Sequence, residues 1–409
     1  MSLLLWLTAL LALAIAAAVL FYHLHPLFGK APSGERLARI VASPHYRDGA
    51  FQNQIETPTL TTDESRLTLM WRNFTRKAPE TRPPQPLPTI KTDLCALDLA
   101  QDLIIWLGHS SFYVQLGGQR ILVDPILNTY ASPFPWVNRT FVGTQLYTAD
   151  DLPEIDLLII THDHYDHLDY KTARALRPKV RSIVTALGVG AHLEAWGYAP
   201  HQIHELDWGD RFRLLIPART GAGDHASAQL APANADSNGA RQRPAANSLE
   251  IIATPARHFS GRTFKRSQTL WMGLVLRTPT RRLFFSGDTG YGPHFAQIGQ
   301  AHGPFDWVTL DSGQYNRRWA HMHMTPEQAA QAAEDLRARA YTPGHVGRLT
   351  LSDHAWDDPF KRIRTASEGR PYALWTPEIG RPIPLDARPQ TFRPWWEAVG
   401  EPAAPPRNK

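Results

Sequence analysis

The stretch THDHYDHLD at 161–169 decides how the chain is read. It follows directly on IDLLIIT at 155–161, a continuous apolar run of the kind expected for a strand buried on both faces. Alternate residues of an extended segment point the same way, so His162 and His164 can share one metal ion. Asp166 and His167 then turn toward a second position a few Å away. Imidazole and carboxylate donors without thiolate suit zinc, with iron and manganese as less common occupants. YKTARAL after Asp169 reads as a short helix N-capped by that Asp, which would hold the loop rigidly, as a catalytic site requires. H-x-H alone is cheap: the chain has 18 histidines, and the spacing recurs at 23–25 and 321–323. The complete H-x-H-x-D-H set behind a buried strand carries the weight.

Outward from this loop, the alternating run SFYVQL, the Gly117-Gly118 turn and ILVD at 121–124 form a β-hairpin. Further strands are expected in LEIIATPA (249–256), TLWMGLVLRT (269–278) and RRLFFSGD (281–288). Thr325-Pro326-Glu327-Gln328 is a helix start with Pro in the first turn and a capping-box glutamine, and that helix is expected to run to about Ala340. Strands interleaved with helices in two halves point to a layered α/β architecture. Residues 217–248 are rich in Ala, Gly, Asn, Pro and Ser and cannot bury enough surface to offset ordering entropy, so they read as a disordered insertion.

Residues 2–22 carry no charge and, as a helix, would span about 31 Å, the thickness of a hydrocarbon core. The stretch is long for a signal peptide and has no Lys or Arg before it, so it reads as an uncleaved single-pass anchor over 1–22. Lys30, Arg36, Arg39 and Arg47 after it place the rest on the cytoplasmic side, with a periplasmic placement left open. Residues 23–94 read as an arm ending in a Pro-rich linker from Pro79 to Pro88, residues 95–390 as the folded domain, and residues 391–409 as a tail. The 43% hydrophobic content supports a sizeable core, and the net charge of +5 is small. The arginines are scattered, which argues against a nucleic-acid partner. A single cysteine, Cys95, excludes an internal disulfide and a thiolate zinc cage. A homodimer is left open.

The loop resembles that of the metallo-β-lactamase superfamily, and later segments extend the likeness. WLGHSSFYVQLGGQRILVDPI (106–126), GVGAHLEAWGY (188–198), HFSGR (258–262), SGDTGYGPHF (286–295) and HMTPEQA (323–329) are similar to the N-acylphosphatidylethanolamine-hydrolysing phospholipase D group and its bacterial membrane-associated relatives. The resemblance implies a four-layer αββα sandwich and two zinc ions. One ion would be held by His162, His164, His258 and Asp288, the other by Asp166, His167, Asp288 and His345. It also places His323 beside the metals and makes Arg262 a candidate to meet a substrate phosphate, with Asp166 and Asp288 as candidate proton acceptors.

The implied activity is phospholipase-D-type hydrolysis of a phospholipid or another phosphodiester by a metal-bridging hydroxide. A lactonase or soluble phosphodiesterase on the same scaffold, and a non-catalytic metal-stabilised envelope protein, remain the alternatives. The insertion at 217–248 departs from the family pattern, and no motif here carries a lipid-contacting surface.

Overall fold

The computed structural model describes residues 3–65, 67–68, 71, 80–215, 230–232, 248–386 and 390–399. Helix α1 (Leu3–Leu24) is apolar apart from Thr8 and its last turn, and none of its residues is buried against the rest of the chain. Helix α2 (Gly34–Ala42) and a two-stranded hairpin, β1 (Tyr46–Arg47) with β2 (Ala50–Phe51), follow in the arm, where the sequence shows no periodicity.

Two sheets form the body. The first contains β3 (Leu103–Trp106), β4 (Phe112–Leu116), β5 (Gln119–Val123), β6 (Ile155–Ile160), β7 (Val180–Ala186), β8 (Ile203–Leu206) and β17 (Pro382–Pro384), in the order β17-β3-β4-β5-β6-β7-β8. The second contains β9 (Arg211–Leu215), β10 (Leu230–Pro232), β11 (Ser248–Thr254), β12 (Gly273–Arg277), β13 (Arg282–Phe285), β14 (Trp307–Asp311), β15 (Ala340–Gly344) and β16 (Ala373–Leu374), in the order β10-β9-β11-β12-β13-β14-β15-β16. The β4–β5 hairpin turns where expected, with φ of 58° at Gly117 and 76° at Gly118, the left-handed pair that matches strand twist.

Period-two alternation sorts the second sheet's side chains. Leu274, Leu276, Leu283, Phe285 and Trp307 enter the core shared with the first sheet. There Phe112 meets Phe285 and Trp307 edge-on, each at 5.6 Å between ring centroids. Val275, Phe284 and Val308 face the other way, into a second core with α5 (His294–His302), α6 (Pro326–Asp335) and α7 (Asp358–Ala366). The first sheet packs with α3 (Tyr170–Leu176) and α4 (Gly190–Ala195). The layers are therefore helix, sheet, sheet, helix, as the resemblance implies.

Two boundaries differ from the sequence reading. Helix α6 has the expected Thr325–Gln328 capping box but ends at Asp335; Arg337 turns the chain at φ 56°, and Ala340 already begins β15. Of the segment 217–248, read from the sequence as a disordered insertion, Leu230–Pro232 pair antiparallel with β9 and Ser248 opens β11, and the remainder lies outside the described residues.

The topology fixes where chemistry can occur. Strands β5, β6 and β7 run parallel, as do β13, β14 and β15, so their carboxyl ends open onto one rim. Replacing Phe112 by Ala should cost about 3–5 kcal/mol of unfolding free energy, because the void lies between two sheets that cannot both relax. The same change at Phe264, which is 90% exposed, should cost under about 0.5 kcal/mol. Urea denaturation of both variants checks the contrast.

Candidate metal centre

Most candidate donors sit in the loops that follow strand ends, while His323 stands just before α6. Thr161 to His167 leave β6, Asp288 follows β13, and His345 follows β15. One group brings together His162, His164, His258 and Asp288, with donor atoms all within 4.8 Å of one another. His162 Nε2 and His258 Nε2 lie 2.9 and 3.2 Å from His164 Nδ1. A second group joins Asp166, His167 and His345 with His109, and a third joins Asp288, His323 and His345.

Asp288 faces both main groups. Its Oδ2 lies 3.7 Å from His162 Nε2 and 3.6 Å from His258 Nε2. Its Oδ1 lies 3.0 Å from both His167 Nε2 and His345 Nδ1. The carboxylate can reach this position because Gly287 before it has φ 58°, where an added Cβ would come within 2.7 Å of the Met272 carbonyl oxygen.

The donor set fits cations. His345 Nε2 and Asp311 Oδ1 are buried and have no hydrogen-bond partner among the described residues, and His167 Nε2 and Asp288 Oδ1 face one another at 3.0 Å without hydrogen-bond geometry, an arrangement that a bound ion would satisfy. Burial and the surrounding imidazoles hold His162 and His258 well below the usual histidine range, leaving neutral rings with free lone pairs. Burial alone would lower His167, but Asp288, Asp124 and Asp166 hold it well above that range. Burial lifts the carboxyl of Asp288 to about 7.

Four residues passed over in the sequence complete the arrangement. Asp124, at the end of the β-hairpin, accepts hydrogen bonds from His167 Nδ1 (2.8 Å), the Thr161 amide (2.8 Å) and the Thr161 hydroxyl (2.6 Å). His109 Nε2 lies 2.9 Å from Asp166 Oδ2. Asp311, the last residue of β14, accepts from His323 Nδ1 at 2.7 Å. Burial opposes charge on His323, but Asp311 raises its pKa above the usual value. Asn53 in the arm accepts from the His258 amide at 3.0 Å and donates to its carbonyl at 2.8 Å. His109, Asp124 and His345 have φ of 55°, 42° and 57°, a cluster of left-handed non-glycine residues that only a tightly determined site sustains.

Arg262 is not placed for an anion. It is 4% exposed, and its guanidinium donates to the carbonyls of Leu27, Asp163 and Leu168. It also lies over the Tyr165 ring at 4.1 Å. This corrects the expectation of a phosphate contact: its donors are occupied by main-chain oxygens.

A family model described as the beta-lactamase superfamily domain matches residues 119–346. The chain belongs to the beta-lactamase superfamily. Among relatives of this superfamily protein, an uncharacterised protein of Mycobacterium tuberculosis is 34% identical over 358 residues, 87% of each chain. An N-acyl-phosphatidylethanolamine-hydrolyzing phospholipase D of Caenorhabditis elegans is 28% identical over 266 residues, 60% of this chain and 64% of that protein. A metal-dependent hydrolase of Caldivirga maquilingensis is 25% identical over 240 residues, 59% of this chain and 80% of that one. The beta-lactamase superfamily member described here is a metal-dependent hydrolase with the metallo-β-lactamase fold.

Asp124→Asn should leave the fold intact but weaken the cation position beside His167 by roughly 10–100-fold, as loss of an orienting carboxylate does elsewhere. Competition with a chromogenic zinc chelator measures this, and unchanged affinity would show that Asp124 does not orient His167 for an ion.

Proposed function

We propose that this hydrolase cleaves the phosphodiester of a glycerophospholipid, of the N-acylphosphatidylethanolamine kind, at a membrane surface. The observation that carries the reading is a direct connection between α1 and the histidine loop. Arg262 ties the Leu27 carbonyl, three residues beyond α1, to the carbonyls of Asp163 and Leu168. With α1 as an uncleaved membrane anchor, its 22 residues span about 33 Å and hold the centre close to the lipid headgroups. The name of the Caenorhabditis elegans relative supports the substrate class.

In this reading His162, His164, His258 and Asp288 would hold one ion and Asp166, His167, Asp288 and His345 the other, zinc being favoured by the donor set. Two such ions, when bound, would lower the pKa of water and neutralise charge on the phosphoryl oxygens. Asp166, backed by His109 at 2.9 Å, takes the proton of the attacking water. As the new P–O bond forms and the bond to the head group breaks, His323, held by Asp311, donates a proton to the departing oxygen. The products are phosphatidic acid and the N-acylated amino alcohol. Arg262 has no substrate contact in this scheme; it holds the loop and the arm together.

Purified zinc-loaded protein should hydrolyse N-acylphosphatidylethanolamine in mixed micelles, and Asp288→Asn should abolish turnover. No turnover by wild-type protein shown to contain two ions would exclude that lipid and favour soluble phosphodiesters or lactones. His323→Asn should retain both ions while kcat falls by roughly 10²–10⁴, the usual contribution of a positioned acid or base. Unchanged kcat would remove His323 from the reaction.

A further inference from the structure

Away from the donor cluster, a cavity of about 750 Å³ opens on the surface, within the size range of roughly 300–1,000 Å³ typical of ligand sites. Its lining includes Arg82, Arg139, Arg318, Trp136, Trp319 and Asp353, and none of its lining residues belongs to the His and Asp groups of the metal centre.

The cavity's charge is unbalanced. Asp353, the one acid among the lining residues, is already paired with Arg318. Arg82 spends its donors on the carbonyls of Arg139 (2.8 Å) and Thr140 (2.6 Å) and lies over the Phe141 ring at 5.2 Å. The Arg139 guanidinium has no ion-pair or hydrogen-bond partner among the described residues. Partial burial and then the nearness of Arg139 lower the pKa of Arg82, so an anion between them would relieve a standing repulsion.

An aromatic path leads from this cavity to α1. Phe21 in its last turns stacks on Phe134 at 6.3 Å, and Phe134 stacks on Trp136 at 5.3 Å. Trp136 and Val142, both on the cavity wall, are 71% and 68% exposed. Tryptophan favours the boundary between headgroups and acyl chains, and arginine matches phosphate in bidentate geometry. Both preferences are met here, next to an apolar helix that ends nearby.

We propose that the cavity binds the phosphate-bearing headgroup of an anionic phospholipid from the leaflet beside α1. Arg139 holds the phosphate, with the charge of Arg82 behind it, and Trp136 lies against the glycerol and upper acyl chains. The site rests on the reading of α1 as a membrane anchor. It is an accessory lipid site, separate from the hydrolytic centre, that sets which face of the domain rests on the bilayer.

The test uses the full chain in phosphatidylcholine nanodiscs containing about one quarter phosphatidylglycerol, enough to make the surface anionic. The acyl chains of one lipid or the other are brominated, and the fluorescence quenching assigned to Trp136 is obtained by difference from Trp136→Phe. Brominated phosphatidylglycerol should quench Trp136 severalfold more than brominated phosphatidylcholine. Arg139→Gln should abolish the excess, and Arg139→Lys should retain most of it. Equal quenching by the two lipids, or an excess that survives Arg139→Gln, overturns the proposal. No excess from brominated phosphatidylglycerol, together with glycerol 3-phosphate binding in solution that Arg139→Gln abolishes, assigns the cavity to a soluble phosphate and overturns the lipid occupant. Protein that fails to co-elute with the discs overturns the anchor reading, a result distinct from protein that stays on the disc without preferential quenching.

Discussion

The carboxylate of Asp163 is the point on which the rest of the site is hung. It stands between His162 and His164 in sequence but faces away from the donor cluster. It accepts hydrogen bonds from the Gly261 amide (2.7 Å) and the Thr269 hydroxyl (3.0 Å), and lies 3.3 Å from His192 Nε2. Burial would raise its pKa, yet His192, His164 and Arg262 hold it at about 2, so it stays charged in the interior at neutral pH. Through it the histidine loop, the HFSGR segment and α4 share one buried anion. His192 in turn accepts from the Lys30 amide at 2.9 Å, which extends the same network to the arm.

This arrangement follows from the alternation that makes the motif legible. In an extended segment, residues that bracket a ligand point opposite to it, so H-x-H leaves its middle residue facing the scaffold. An apolar residue at 163 could pack there, but it could not satisfy the buried amide, hydroxyl and imidazole that converge on the spot. An unmet polar group of that kind costs about 1–3 kcal/mol, and three share this oxygen pair. The donor groups therefore stay in register because their backbone neighbours are held by charge, not by packing alone.

Much of this was readable from the chain because it is local. The loop, its helix with Asp169 as N-cap and the Gly117-Gly118 hairpin all depend on residues a few positions apart. Residues whose role depends on tertiary closure gave no such signal. Asp124 ends a strand like any turn aspartate, and only folding brings it 2.8 Å from His167. Asn53 lies in a stretch without periodicity, 205 residues from His258. Strand β15 contains Pro343, a residue that argues against a central strand, and its neighbours β14 and β16 supply the pairing that overrides it. Arg262 misled for the opposite reason: a guanidinium beside a motif suggests an anion, whereas three backbone carbonyls left without partners had the stronger claim on it.

The arm joins these observations to the membrane reading. The Trp196 indole donates to the Pro26 carbonyl at 2.8 Å, only two residues after α1 ends, so no slack tether separates helix from domain. An added Cβ on Gly29 would fall 2.0 Å from His192 Nδ1, which shows how closely the arm is laid against α4. Farther along, Asn53 fixes the backbone of His258, and the Phe51 amide donates to the Ser267 carbonyl at 2.8 Å. The segment that fixes the domain's distance from α1 thus also sets the orientation of a candidate ligand. Under the proposed anchoring, a domain held this tightly keeps the donor cluster at a fixed distance from the leaflet, which favours lipid arriving by lateral diffusion over substrate from solution.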